Sequence, residues 1–177
     1  MDTIAEKIRR VQENIEAACA RSGRDPRQVT LVVVTKSAAP DQIRQAVRTG
    51  STELGESRVQ HLKVVADDMD TFLRENAENS DLPDDVNWHM IGHLQRNKVK
   101  QALQISNFIH SVDTLRLAEE INTAAAKLDR HPNVLLQVNC SEEPQKYGVP
   151  VGAAFHLAEQ VASMPNLRLV GLMTMAP

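Results

Sequence analysis

Leu31-Val32-Val33-Val34-Thr35-Lys36 decides the fold. An unbroken apolar, β-branched run that ends on a lysine suits a strand buried on both faces, as in a parallel sheet. On its N-terminal side, Ile4, Ile8, Val11, Ile15 and Ala18 recur at helical spacing among charges. This is an amphipathic helix, ended by Gly23 and Pro26. On its C-terminal side, Pro40 and Asp41 open a helix through Val47, and Gly50 closes it. The alternation then repeats. Thr52–Gly55, Val86–Ile91, Phe108–Val112, Val134–Val138 and Leu167–Leu172 read as strands two to six. The helices between them are expected over Arg58–Asn76, Lys98–Leu103, Leu115–Leu128 and Ala153–Ser163. Asp113 or Thr114 caps the helix from Leu115, with Leu117, Ile121 and Leu128 inward. The segment with Pro144, Gly148 and Pro150 reads as a loop. Strands alternating with helices imply βαβ units and a parallel sheet in one domain.

Composition narrows the function. The 177 residues carry 20 Lys+Arg against 23 Asp+Glu, a net charge of -3, with 42% hydrophobic residues. That is ordinary for a soluble globular domain and argues against disorder, a fibre or a disulfide scaffold. The mild acidity gives no case for nucleic acid. No apolar run approaches the ~20 residues of a membrane span. The charged N-terminal stretch lacks the apolar core of a signal peptide, and the expected location is cytoplasmic. Cys19 and Cys140 follow no metal-ligand spacing and read as free, buried thiols in a reducing compartment. His89 and His93 straddle a strand end rather than one helix face, so no metal site is expected. No Gly-rich dinucleotide or P-loop motif occurs.

In α/β folds, chemistry gathers at the carboxyl ends of parallel strands. Lys36 ends strand one. Desolvated there, its amine is a nucleophile able to form a Schiff base with an aldehyde; otherwise it starts a loop and reaches into water. Gly55-Glu56-Ser57-Arg58 ends strand two, where Ser57 contacts a ligand or caps a helix. Trp88 to Lys98 is the densest polar cluster, and His89 is either a core histidine or a pocket wall. Asn139 ends strand five as a ligand contact or a turn residue. Met173 ends strand six as a ring contact or apolar filler. Cys140 has no partner nearby in sequence to make it a nucleophile.

Taken in order, Leu31 to Lys36, Leu54 to Gln60, Trp88 to Lys98, His110 to Asp113, Gln137 to Asn139 and Gly171 to Thr174 resemble the pyridoxal phosphate homeostasis protein family. The resemblance implies a (β/α)8 TIM-barrel type of fold like the alanine racemase N-terminal domain, with an extra N-terminal helix. It implies a non-catalytic role in vitamin B6 balance, with pyridoxal 5'-phosphate (PLP) held as a Schiff base on Lys36. Ser57, His89, Asn139 and Met173 are the further cofactor contacts, and apo PLP enzymes are candidate recipients.

Two departures accompany the resemblance. Ser57 stands where the family usually has Asn, and a hydroxyl cannot present an amide's donor and acceptor pair. The family also continues for two more βα units, which carry its phosphate-binding residues. The expectation is therefore one partial barrel over residues 1–177, truncated after the sixth strand. It holds the cofactor weakly and self-associates through exposed sheet edges. A PLP-dependent racemase or decarboxylase, and a remnant that does not bind PLP, are the alternative readings.

Overall fold

The computed structural model describes residues 2–176. Helix α1 (Ile4–Ser22) begins with a capping box. The Thr3 hydroxyl accepts the Glu6 N–H, and the Glu6 carboxylate accepts the Thr3 N–H. It ends at Gly23, whose φ of 67° lets the Arg24 N–H reach back to the Cys19 carbonyl. The remaining elements are β1 (Val33–Val34), α2 (Pro40–Arg48), β2 (Glu53–Glu56), α3 (Val59–Glu75) and β3 (Asn87–Met90). After these come α4 (Val99–Leu103), β4 (Phe108–Val112), α5 (Leu115–Leu128), β5 (Asn133–Asn139), β6 (Val149–Pro150), α6 (Val151–Ala162) and β7 (Arg168–Met173). Short 3₁₀ turns occupy Pro26–Gln28 and Arg96–Lys98.

Two compact units divide the chain, Met1–Gly55 with Val65–Asn87, and Glu56–Val64 with Trp88–Pro177. In the first, β1 lies parallel to β2, with Val33 opposite Leu54 and Val34 opposite Gly55. Ile8, Ile43, Ala46, Val47, Leu54, Met69 and Phe72 form its core. Arg44 ties α2 to α3 with a 2.6 Å ion pair to Asp68, and the Arg44 and Arg48 guanidinium groups lie over the Phe72 ring. The first strand is shorter and less buried than its sequence implies. Leu31 and Val32 lie outside the ladder, and Val34 is 48% exposed. Among the described residues of this unit, β2 is the strand that pairs with β1.

In the second unit β3, β4, β5 and β7 are parallel neighbours in that order. Parallel strands cannot be joined by tight turns, and the intervening stretches carry α4, α5 and α6. Thr114, rather than Asp113, caps α5 by accepting the Leu117 N–H at 3.3 Å. Val99, Leu103, Ile109, Val112, Ile121, Val134, Leu136 and Val161 are fully buried. Leu117 and Ile121 point inward as expected, and Leu128 is half-buried.

Seven strands replace the expected six. The extra one is the two-residue β6, which pairs with Val138 and Asn139 at the end of β5. Its Gly148 (φ 130°) lies so close to β5 that a Cβ would stand 2.6 Å from the Asn139 nitrogen. Backbone fit, invisible to hydropathy, makes this strand. The expected sixth strand is β7, and its Val170 and Leu172 side chains are exposed. No helix among the described residues is long and apolar enough to cross a membrane.

Leu136 is fully enclosed between neighbouring strands and helices. Leu136→Ala is expected to cost about 2–5 kcal/mol of unfolding free energy, read as a lower urea midpoint.

Candidate functional site

Thr35 anchors the end of β1. It is buried, its N–H donates to the Gly55 carbonyl at 2.9 Å, and its hydroxyl donates to the same oxygen at 3.2 Å. Lys36, the next residue, is exposed. The desolvation expected for its amine is therefore not present. Position supplies something else, because among the described residues no carboxylate pairs with the Lys36 ammonium, and its amine is open to solvent. An amine that solvent can reach is a fit for aldehyde chemistry.

In the second unit the end of β2 is organised by Glu56. Its side chain is 1% exposed. One carboxylate oxygen accepts the Ser57 N–H at 2.6 Å and the Arg58 N–H at 3.3 Å, and the other lies 2.7 Å from His61 Nδ1. Burial pushes the Glu56 carboxyl up, but these bonds outweigh it and hold the group below the ordinary carboxylate range. The Ser57 hydroxyl also lies on Glu56, at 3.3 Å, so Glu56 rather than Ser57 satisfies the free N–H groups entering α3. The sequence signal was a glutamate directly after an apolar strand.

His89 is buried. Its ring stacks on Phe108 at 4.9 Å, and its Nδ1 lies 2.8 Å from His110 Nε2. A 2.8 Å contact between two imidazoles needs one nitrogen to donate and the other to accept. Burial lowers His110 to about 4, and the neighbouring His89 adds to the fall.

Gly92 follows β3, and a Cβ there would run into the Ser57 carbonyl oxygen. The Ser111 hydroxyl donates to the Gly92 carbonyl at 2.6 Å. His93 stacks on Tyr147 with ring centroids 4.1 Å apart and planes 13° from parallel, and its Nδ1 lies 3.6 Å from Asp113. Burial raises the Asp113 carboxyl and His93 opposes that rise.

At the end of β5 the Asn139 amide donates to the Glu143 carbonyl at 3.0 Å and its oxygen accepts from Ser141 at 3.3 Å. Buried Gln137 donates to the Tyr147 carbonyl at 3.1 Å. Cys19 is buried, but Cys140 is exposed, because it begins the loop rather than ending the strand. Met173 is half-buried at the end of β7, in register with Gln137. His110 and Gln137 belong to stretches that carry the resemblance, but no spacing assigned either a partner.

The alanine racemase N-terminal domain family matches residues 7–177. The pyridoxal phosphate homeostasis protein of Pseudomonas aeruginosa is 38% identical over 98% of this chain and 70% of its own length. The namesake from Aquifex aeolicus is 37% identical over 97% and 70%. An unknown protein from Bifidobacterium adolescentis superposes with a TM-score of 0.88 at 30% identity, covering 98% of this chain and 69% of that one. PipY of Synechococcus elongatus, solved with PLP bound, gives 0.68 at 32% identity, covering 92% and 70%. Alanine racemase of Clostridium difficile gives 0.65 at 13% identity, covering 84% and 38%, a likeness of fold alone.

Two outcomes are expected. Because the folded state lowers His110 from 6.5 to about 4, its contribution to stability is complete above pH 6.5 and is lost as the pH falls toward 4. Urea titrations should show about 1–2 kcal/mol less stability at pH 5 than at pH 7, and His110→Gln should flatten that difference. Gly92→Ala should cost about 1–3 kcal/mol by forcing the Ser57 backbone away, measured by thermal unfolding.

Proposed function

The chain belongs to the pyridoxal phosphate homeostasis protein family, within the alanine racemase N-terminal domain family, and from that membership we propose that it binds PLP and takes part in vitamin B6 homeostasis. The observation that carries the reading is Lys36, exposed directly beyond the anchored end of β1. PLP, when bound, supplies an aldehyde and an electron-accepting ring. Lys36 would hold PLP through its amine, with water as the leaving group of that condensation. Thr35 fixes where the lysine backbone sits, because both its polar groups are spent on Gly55.

The role is carriage rather than turnover. The relatives' name supports this, as does the placement of the sole tyrosine. Tyr147 lies in a loop with its ring against His93, an arrangement that offers no dedicated acid–base partner for an amino-acid carbon. The resemblance also assigns Ser57, His89, Asn139 and Met173 to the cofactor, and each stands as a proposal to be tested by its own substitution. Delivery to apo PLP enzymes, association through sheet edges and a cytoplasmic location belong to the same reading.

Adding PLP to the purified protein should produce the absorbance band of a lysine Schiff base. Lys36→Ala should lose nearly all of it, while Lys7→Ala, on α1, should keep it. An equal band in Lys36→Ala, or none in the parent, overturns the reading. Steady conversion of an amino acid by the PLP-loaded protein would favour a racemase or decarboxylase instead.

A further inference from the structure

His61 stands in the first turn of α3, and Glu56 at the end of β2 holds its ring. The Glu56 carboxylate already accepts the Ser57 and Arg58 N–H groups. A carboxylate accepts and does not donate, so the 2.7 Å contact places a proton on His61 Nδ1. In the neutral ring the lone pair then lies on Nε2, the nitrogen turned away from Glu56. The Glu56 side chain is 1% exposed and that of His61 is 38% exposed, so the ring leads from a buried carboxylate out to solvent. Among the described residues Glu56 is the one hydrogen-bond partner of this ring. Schiff-base chemistry at Lys36 makes no use of it.

We propose that His61 is a nucleophile for acyl transfer, with Nε2 attacking activated carboxylic esters and Glu56 holding the ring through Nδ1. The Nε2 lone pair adds to the ester carbonyl carbon, the Nε2–carbon bond forms, and the carbon–oxygen bond to the leaving phenolate breaks. The acylated ring is now a cation, and the Glu56 carboxylate 2.7 Å away meets its charge. Water then adds to the acyl carbon, Nε2 leaves with its electron pair, and the acid is released. Ester and water become acid and phenol, and the histidine returns unchanged. Positive charge grows on the ring as the new bond forms, so Glu56 favours the transition state over the resting imidazole. The same carboxylate selects the group transferred. A phosphoryl group brings negative charge toward Glu56, and a neutral acyl group brings none. His131 and His156 serve as internal references. His131 is exposed, and His156 is 82% exposed with its Nδ1 3.5 Å from Glu159, itself 60% exposed, a contact that water screens. Accessibility alone ranks His61 below both of them, and the buried carboxylate ranks it above.

The purified protein, without PLP, is treated with limiting diethyl pyrocarbonate at about pH 8, where an ordinary imidazole is neutral. Peptide mass spectrometry then gives the acylation rate of each histidine in one sample. His61 is expected to react about fivefold to twentyfold faster than His131 or His156. Glu56→Gln keeps an oxygen to accept the Nδ1 proton but loses the charge. It should bring His61 down to the level of His131 and leave His131 unchanged. With p-nitrophenyl acetate the parent should release several equivalents of phenolate per chain, and His61→Asn should lose most of that turnover. Should Glu56→Gln unfold, the buried His89 becomes labelled as well, and the ranking in the parent together with His61→Asn carries the test. A parent His61 no faster than His131 overturns the proposal. So does a ranking that survives in folded Glu56→Gln, or turnover that is unchanged in His61→Asn.

Discussion

A carboxylate withdrawn from water is costly by several kcal/mol unless donors replace the lost hydration. Glu56 meets that condition with two backbone N–H groups and His61, and its own carbonyl accepts the Ile91 N–H at 2.9 Å. One residue thus starts α3 and aligns the chain after β3. The dependence continues outward. Ser57 can bring its carbonyl against Gly92 because Glu56 holds its N–H, and Gly92 in turn accepts the Ser111 hydroxyl at the end of β4. Three successive strand ends of the second unit are linked through contacts that tolerate no bulk at Gly92.

The fold was legible where pattern and packing coincide. Buried strands such as Val134–Val138, and helices with one apolar face such as Leu115–Leu128, announced themselves through spacing. The failures have physical causes. Leu31 and Val32 are as β-prone as Val33, yet whether they enter a ladder depends on a neighbour that local sequence does not specify. β6 exists because a glycine with positive φ lets the chain approach β5, a matter of backbone clearance. At Lys36 the sequence left a desolvated amine and a solvent-facing one both open, and the structure exposes it, since burial of a strand does not extend to the residue just past its end. For His89 and Asn139 the partners lie distant in sequence or hidden in the loop, His110 and the Glu143 carbonyl, and no local pattern announces them.

The same side chain sits at two depths. His89 and His110 lie on strands β3 and β4, where their ring nitrogens share a 2.8 Å hydrogen bond inside the sheet. His93 lies just beyond β3, where solvent reaches it and the Asp113 carboxylate stands 3.6 Å away. A displacement of a few residues along one segment separates an imidazole spent within the sheet from one that faces water.

The order of the sheet has a consequence for how the chain comes to exist. In the second unit β4 docks on β3, β5 on β4, and β7 on β5, with the two-residue β6 the one interruption. Each new strand finds its template in the segment synthesised just before it. Loop closure is therefore inexpensive at every step, and no strand waits for a distant partner. Growth by accretion during translation follows, with the most recently made strand always presenting the edge to which the next one adds.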